Sequence, residues 1–197
     1  MPRVTGPSTV ASLAALLADM FGGAIAEVHG DGATRISTVT HDSRAVNSGS
    51  LFACLRGERV DGHDFAAAAV AAGAAALLVD HRLDAGTVGG VAQLVVDDTR
   101  LRLGPISASL VGDPSTRMTT VGITGTNGKT TTSLMLEAIF VAHGQRVGVI
   151  GTLNGPHTTP EAPELQQRLA EFVADDCSAA VLEVSSHALT LHRVDGT

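Results

Sequence analysis

Short apolar runs alternate with helical patterns along this chain. Runs rich in β-branched residues predict buried strands, and apolar residues at helical spacing predict helices between them. We expect strands at 35–41, 50–55, 74–79, 91–96, 118–123, 145–150 and 178–183. We expect helices from Ser8 or Thr9 to about Phe21, at 64–72, from Asp97 or Asp98 to about Val111 despite Pro105, after Gly128, and at 161–174. This alternation favours an α/β fold with parallel sheets, whose ligands bind at the carboxyl ends of the strands.

Turn-forming residues divide this pattern into two parts. Residues 1–7 indicate a loose terminus, and residues 86–90 indicate a turn-rich loop. The run Gly112-Asp113-Pro114-Ser115 is a linker by composition. We therefore place a first domain at 1–112, a linker at 113–117 and a second domain at 118–197.

The segment after the strand at 118–123 has the order of residues that a phosphate site requires. A glycine-bearing turn between a strand and a helix offers backbone N–H groups and the positive end of the helix dipole to an anion. The strict Walker spacing is not met, because Ile123 stands where the first glycine should be, so a glycine-rich turn with an incidental lysine is the alternative. We predict a nucleoside triphosphate site, with Lys129 at the outer phosphates and the Thr130 hydroxyl on Mg²⁺. The candidate ATP-binding residues are Gly125, Thr126, Asn127, Gly128, Lys129, Thr130 and Thr131.

Glu183 ends an apolar strand of the second domain. A carboxylate at the carboxyl end of a buried strand beside the phosphate loop is where a Walker-B-type Mg²⁺ ligand belongs. The alternative is a strand-end glutamate that pairs with an arginine or caps the following helix. We take Lys129 and Glu183 as candidate catalytic residues, and Thr130 and Glu183 as candidate metal ligands.

Composition excludes several other classes of protein. Of the 197 residues, 44% are hydrophobic and 17% are charged, so a globular core is feasible and disorder is not expected. A net charge of −7, with neither Trp nor Tyr, argues against a nucleic-acid partner. Cys54 and Cys177 lie far apart and indicate buried thiols. The alanine-rich run 66–79 is broken by Gly73 and too short to span a bilayer, so we expect a cytoplasmic protein without membrane insertion.

The phosphate-loop wording, Thr-Gly-Thr-Asn-Gly-Lys-Thr at 124–130, resembles the loop of the Mur ligases and the folylpolyglutamate synthetases. Three later segments, 158–160, 183–189 and 192–194, resemble the UDP-N-acetylmuramoyl-tripeptide synthetases among the Mur ligases. This resemblance implies that Thr158, Thr159, Ser185 and Arg193 contact the muramoyl-peptide substrate.

The segments 40–44, 49–53 and 61–65, with Gly57, are similar to the N-terminal domain of the same synthetases. The resemblance implies that Ser43 and Arg44 lie at the UDP end of the substrate, with His63 nearby. For His63, a place beside a helix N-cap without any ligand is equally open. The implied architecture is a small N-terminal UDP-binding α/β domain, followed by a truncated P-loop parallel-sheet ATPase domain.

The family activity implied by the resemblance is an ATP-dependent amide ligation in peptidoglycan synthesis. ATP phosphorylates the carboxylate of UDP-N-acetylmuramoyl-L-Ala-D-Glu, and a diamino acid, meso-diaminopimelate or L-lysine, attacks the acyl phosphate. The implied cofactors are ATP and Mg²⁺, and we expect a monomer. The family's later catalytic residues and its amino-acid-binding C-terminal domain have no counterpart up to Thr197, so we expect this chain to be inactive alone.

Three departures from the family pattern affect the substrate. Leu191 stands where the family has a glutamine, Glu161 replaces an aspartate, and the loop at 153–157 is short. They suit a divergent, MurE-like branch and leave the added amino acid open. The alternatives are another enzyme of the superfamily, such as a folylpolyglutamate synthetase, and a non-catalytic nucleotide-binding fragment.

Overall fold

The computed structural model describes residues 9–22, 26–57 and 59–197. These residues divide into two compact units, with the boundary between Leu110 and Val111. The predicted loose terminus at 1–7 lies outside the described residues. In the described part of the chain, no helix combines the length and apolarity that crossing a bilayer demands.

The first unit is a five-stranded sheet with helices. Its strands are β1 (Ala26–His29), β2 (Thr38–Thr40), β3 (Ser50–Ala53), β4 (Ala76–Val79) and β5 (Ala92–Val96). Its helices are α1 (Val10–Phe21), α2 (Ala66–Ala71), α3 (Ala85–Val88) and α4 (Thr99–Leu110), with 3₁₀ turns at Ser43–Ala45 and Gly62–Phe65. The strand order is β1-β5-β4-β3-β2, with β1 antiparallel to β5 and the other neighbours parallel. The carboxyl ends of β2 to β5 therefore share one edge of the sheet.

Local capping explains where the helices of this unit begin. Thr9 caps α1 in a reciprocal capping box with Ser12, as one of the two predicted caps. Asp98, one of the two predicted caps of α4, accepts hydrogen bonds from the N–H groups of Arg100 and Leu101. α4 continues through Pro105. Tertiary packing compensates for the proline, since Leu103 and Ile106 beside it are buried.

Some predicted elements of the first unit need correction. The loop expected at 86–90 contains the single-turn helix α3, which Asp84 caps by accepting from the N–H of Gly86. The helix expected at 64–72 begins as a 3₁₀ turn and becomes α-helical only at Ala66. β1 was not predicted, because Ala-Glu-Val-His alternates apolar and polar residues over only four positions and has no buried apolar run.

The second unit is a parallel three-stranded sheet with helices. It contains a 3₁₀ turn at Pro114–Arg117, β6 (Thr119–Ile123), α5 (Lys129–Ala142), β7 (Val147–Ile150), α6 (Ala162–Ala174), β8 (Ala179–Glu183) and α7 (Ser186–Thr190). The strand order is β6-β8-β7, and Ile123 is in register with Glu183. The 3₁₀ turn Pro114–Arg117 occupies most of the linker that we place at 113–117. The short helix α7 was not predicted.

A close approach between β7 and α6 fixes the packing of the second unit. Ile150, Leu165, Leu169 and Leu182 are buried in one cluster, with Phe172 packed against it. A Cβ atom on Gly148 would overlap the ring of Phe172. Gly148 therefore allows α6 to lie directly on the sheet.

Replacing Gly148 with alanine should lower the free energy of unfolding by about 1–3 kcal/mol, because the added methyl group overpacks a filled core. Urea denaturation measures the change. Gly122→Ala in β6 is the matched control, since its Cβ would meet Val184 Cγ2 at an ordinary 3.6 Å. Equal stability of the two variants would contradict the assigned packing.

Candidate functional site

Two glycines shape the loop between β6 and α5. Gly128 precedes the first residue of α5 with φ +82°, and Gly125 has φ +147°. Residues with a side chain rarely adopt either backbone conformation, so these positions favour glycine. The loop brings backbone N–H groups to the N-terminus of α5, where the helix dipole attracts anions.

A cavity of about 250 Å³ lies against this loop. It is lined by Thr126, Asn127, Gly128, Lys129, Thr130, Thr131, Thr152, Thr158 and Glu183. The structure thus brings together most of the predicted ATP-binding residues, both predicted metal ligands and one predicted substrate residue. Gly125 is not among the lining residues, but its carbonyl oxygen accepts a hydrogen bond from Lys129 Nζ at 2.8 Å.

Glu183 is buried beneath this cavity and held by three neutral donors. Its side chain accepts from the Thr130 hydroxyl at 2.8 Å, the Thr152 N–H at 3.2 Å and the Thr152 hydroxyl at 3.3 Å. Glu183 is only 2% exposed. A buried carboxylate is costly without a cation or strong donors, so this arrangement fits a divalent cation. The fit is chemical as well, since Mg²⁺ prefers carboxylate and hydroxyl oxygens.

Sequence reasoning missed Gly151 and Thr152, which directly follow β7. A Cβ on Gly151 would overlap the Glu183 carboxylate, so the glycine makes room for it. Thr152 provides two of the three hydrogen bonds to that carboxylate. The signal in the sequence was only a polar residue directly after a predicted strand, since the pairing of β7 with β8 is seen in the structure alone.

The residues predicted to bind the muramoyl-peptide lie around the carboxyl end of β8, and they differ in the hydrogen bonds that they already make. Thr158 shares a hydroxyl–hydroxyl hydrogen bond of 2.9 Å with Thr152. The Thr159 hydroxyl is already engaged, donating to Glu183 O and accepting from the N–H of Ser185. Ser185 Oγ caps α7, and Arg193 pairs with Glu161 at 2.7 Å and donates to Thr159 O. These four residues form one connected network, and their contact with substrate stays a prediction.

In the first unit, Ser43 and Arg44 follow β2 at the carboxyl edge of the sheet. Asp42 caps their 3₁₀ turn and receives two hydrogen bonds from the Arg44 guanidinium, at 2.9 and 2.8 Å. These bonds lower the pKa of Asp42 to about 2. The side chain of Arg44 is 88% exposed, so an anion in solvent can reach it.

His63 lies in the 3₁₀ turn after β3, at the same edge of the first sheet. Asp61 caps this turn and accepts from both the backbone N–H and Nδ1 of His63. Both the capping geometry and a cluster with Asp80 and His81 are therefore present around His63. A nucleotide contact at His63 stays a prediction.

Each of the two units matches a known protein-family model. The family described as "Mur ligase family, catalytic domain" matches residues 35–105, and the "Mur ligase middle domain" matches residues 123–197. The chain belongs to the Mur ligase family. The two matches cover the carboxyl edge of the first sheet and the phosphate loop with Glu183.

Two curated relatives and one solved structure similar to this Mur ligase chain share one description. It is 44% identical over 185 residues to "UDP-N-acetylmuramoyl-L-alanyl-D-glutamate--2,6-diaminopimelate ligase" of Chlorobaculum tepidum, covering 88% of this chain and 36% of the relative. It is 41% identical over 170 residues to the ligase of the same description from Bacillus licheniformis, covering 82% and 34%. A solved structure of a ligase so described matches with a TM-score of 0.75 at 27% identity, covering 98% of this chain and 39% of that one. The chain spans about a third of the length of the curated relatives it matches.

Proposed function

We propose that this chain supplies the nucleotide-binding and UDP-substrate-binding parts of a ligase in peptidoglycan synthesis. The reaction adds a diamino acid to UDP-N-acetylmuramoyl-L-Ala-D-Glu and hydrolyses ATP. We assign diaminopimelate as that diamino acid. The observation that carries the proposal is the buried Glu183 carboxylate, hydrogen-bonded to Thr130 at the mouth of the phosphate loop. The names of the relatives support the substrate, and L-lysine is the other candidate amino acid.

The phosphates of ATP would bind in the cavity at the N-terminus of α5. Residues 125–131 provide backbone N–H groups, and Lys129 would exchange the Gly125 carbonyl for the outer phosphates. Thr130 and Glu183 would hold Mg²⁺, which neutralises phosphate charge when it is bound. The protein's own task is to position the γ-phosphoryl group against the substrate carboxylate, because orientation is a large part of such catalysis.

The two ends of the substrate are assigned to the two units separately, each at the carboxyl edge of that unit's sheet. Ser43 and Arg44 would contact the UDP end, since a guanidinium matches a diphosphate in charge and geometry. Thr158, Ser185 and Arg193 would contact the muramoyl-peptide. Because the Thr159 hydroxyl is already engaged, we assign that residue to holding Ser185 and Glu183 in place. Transfer of the γ-phosphoryl group from ATP to the substrate carboxylate gives an acyl phosphate and ADP, and attack by the amine of the diamino acid then forms the amide and releases phosphate.

Titration with a fluorescent ATP analogue tests the nucleotide half of this proposal. We expect saturable binding by the chain with Mg²⁺ present, and competition by unlabelled ATP and ADP. Competition by AMP should be much weaker, because the cavity contacts the outer phosphates. Binding that does not discriminate ATP from AMP would overturn the phosphate assignment.

We propose in addition a cytoplasmic, monomeric protein without a nucleic-acid partner.

UDP should perturb the amide resonances of Ser43 and Arg44 in the intact chain, because both lie at an exposed carboxyl edge. Replacing Arg44 with glutamine should weaken UDP binding about tenfold, the loss expected for one charge-assisted contact. Two-dimensional NMR titration gives both results. Arg35→Gln, which precedes β2 at the opposite edge, should bind UDP normally. Shifts confined to residues 111–197, or none at millimolar UDP, would contradict the assignment.

A further inference from the structure

Three potential metal ligands converge beside the first sheet, in a different unit from the one that carries the phosphate loop. His63 lies in the 3₁₀ turn after β3, while Asp80 and His81 directly follow β4, the neighbouring strand. One ligand atom from each residue lies within 4.8 Å of the others. Two segments that are distant along the chain thus meet because the parallel strands β3 and β4 end at one edge.

The protonation of His63 leaves a lone pair inside this cluster. Its Nδ1 lies 2.6 Å from Asp61 Oδ1, a carboxylate oxygen that only accepts, so Nδ1 carries the proton. The His63 side chain is only 7% exposed, and its Nε2 is buried with no hydrogen-bond partner among the described residues. A buried ring nitrogen without a partner is uncommon, and it requires an explanation.

The distances suit a shared cation better than a direct contact. His63 Nε2 and Asp80 Oδ1 are 3.3 Å apart but are not aligned for a hydrogen bond. Around tetrahedral zinc, ligand atoms at roughly 2.0–2.1 Å from the metal are separated by about 3.3 Å, and each points at the metal rather than at the other. The third ligand needs an adjustment, because His81 Nδ1 now donates to Asp80 Oδ1 at 2.5 Å. That hydrogen bond must open, with the proton moving to the exposed Nε2 of His81.

Groups around the three residues resemble the outer shell of a metal site. Asp61 holds Nδ1 of His63, as carboxylates commonly hold metal-binding histidines. Arg56 pairs with both oxygens of Asp80, through Nε with Oδ2 at 2.7 Å and through Nη2 with Oδ1 at 3.2 Å, so it holds the carboxylate in place, and the longer bond to Oδ1 must loosen when a metal binds. Two imidazoles and one carboxylate select zinc-type metals over Mg²⁺ or Ca²⁺, which prefer oxygen ligands throughout.

We propose that His63, Asp80 and His81 bind one divalent transition-metal ion of the zinc class. Three protein ligands leave a fourth position for water or an anionic ligand. The site joins the segment after β3 to the end of β4, and it would stabilise the carboxyl edge of the first sheet when metal is bound. This proposal does not depend on the ATP site, which uses other residues.

Zinc titration of the intact, untagged chain by calorimetry tests the proposal. We expect one equivalent of Zn²⁺ to bind, and long-range ¹H–¹⁵N spectra to show shifts at His63 Nε2 and His81 Nδ1. Co²⁺ in place of zinc should give the intense visible absorption of a four-coordinate site. The thermal midpoint should rise with zinc concentration, because the metal binds the folded chain.

Variants separate the cluster from incidental binding by other histidines. His81→Gln and Asp80→Asn should each lose at least tenfold in zinc affinity, and Asp61→Asn about 10- to 100-fold through loss of support for His63. His143→Gln, in the segment after α5, is the matched control and should bind normally. His81 is about half-exposed, so its variant tests the site without disturbing the core. Equal zinc affinity of His81→Gln and wild type, or no saturable zinc binding by the wild type, would overturn the proposed site. The alternative explanation of the cluster is a charged His63 between two aspartates.

Discussion

Replacing Lys129 with alanine should weaken binding of ATP with Mg²⁺ about 10- to 150-fold, the loss expected for one charge-assisted phosphate contact worth about 1.5–3 kcal/mol. Lys129 is the only lysine among the 197 residues, so no neighbouring amine can replace it. In the unbound chain its ammonium group satisfies the Gly125 carbonyl. Titration of both proteins with a fluorescent ATP analogue measures the difference.

The control for this prediction must be an arginine, since there is no second lysine. Arg146 precedes β7 and is exposed at the end of the sheet opposite to the cavity. Arg146→Ala removes one positive charge from the same unit and should leave ATP affinity unchanged. An equal loss in the two variants would indicate a general effect of net charge. Equal affinity of Lys129→Ala and wild type would refute the lysine's assignment.

Strand positions were easiest to predict where burial on both faces leaves a continuous apolar run, as in β4 and β8. Each of the seven predicted strands is present, shortened by one to three residues at one or both ends. Apolar runs such as Ala76–Val79 are buried along their whole length, so the apolar pattern reports the tertiary structure directly. β1 was not predicted because it is a half-exposed, antiparallel edge strand. Pairing with β5 stabilises it, rather than an apolar run of its own.

The apolar pattern of α5 predicted the helix but not its surroundings. Leu134, Met135, Ile139 and Val141 recur at helical spacing, yet each is exposed within the described residues. Periodicity identifies the secondary structure of such a segment, because the spacing depends only on the helical repeat. It does not identify what packs against the apolar side chains, since that depends on groups distant in sequence.

The candidate site could be predicted where the residue types that the chemistry requires follow directly after a predicted strand. The loop glycines, Lys129, Thr130 and Glu183 could be selected because phosphate and Mg²⁺ binding require those residue types after a strand. Thr152 could not be assigned in this way, because its contact with Glu183 depends on β7 and β8 being neighbours. The same limit applies to His63, whose approach to Asp80 depends on the pairing of β3 with β4.

Replacing Glu183 with glutamine should remove most of the dependence of ATP affinity on Mg²⁺ while leaving the chain folded. Glutamine keeps the shape of the side chain and can still accept hydrogen bonds, but it lacks the negative charge that a divalent cation requires. With Mg²⁺ present, affinity should fall at least tenfold, towards the value measured in EDTA, since charged contacts are worth about 1.5–3 kcal/mol. Titrations with and without Mg²⁺ measure both values for wild type and variant.

Stability separates this effect from simple damage to the protein. The three donors to Glu183 are two hydroxyls and one N–H, and none of them carries a compensating charge. Because a buried charge held only by neutral donors adds little to stability, Glu183→Gln should change the free energy of unfolding by less than about 1 kcal/mol. Glu171→Gln, on the exposed side of α6, is the matched control and should keep its Mg²⁺ dependence. A Glu183→Gln protein that unfolds far more easily would show that the carboxylate stabilises the fold. One that retains the full Mg²⁺ effect would exclude Glu183 as a metal ligand.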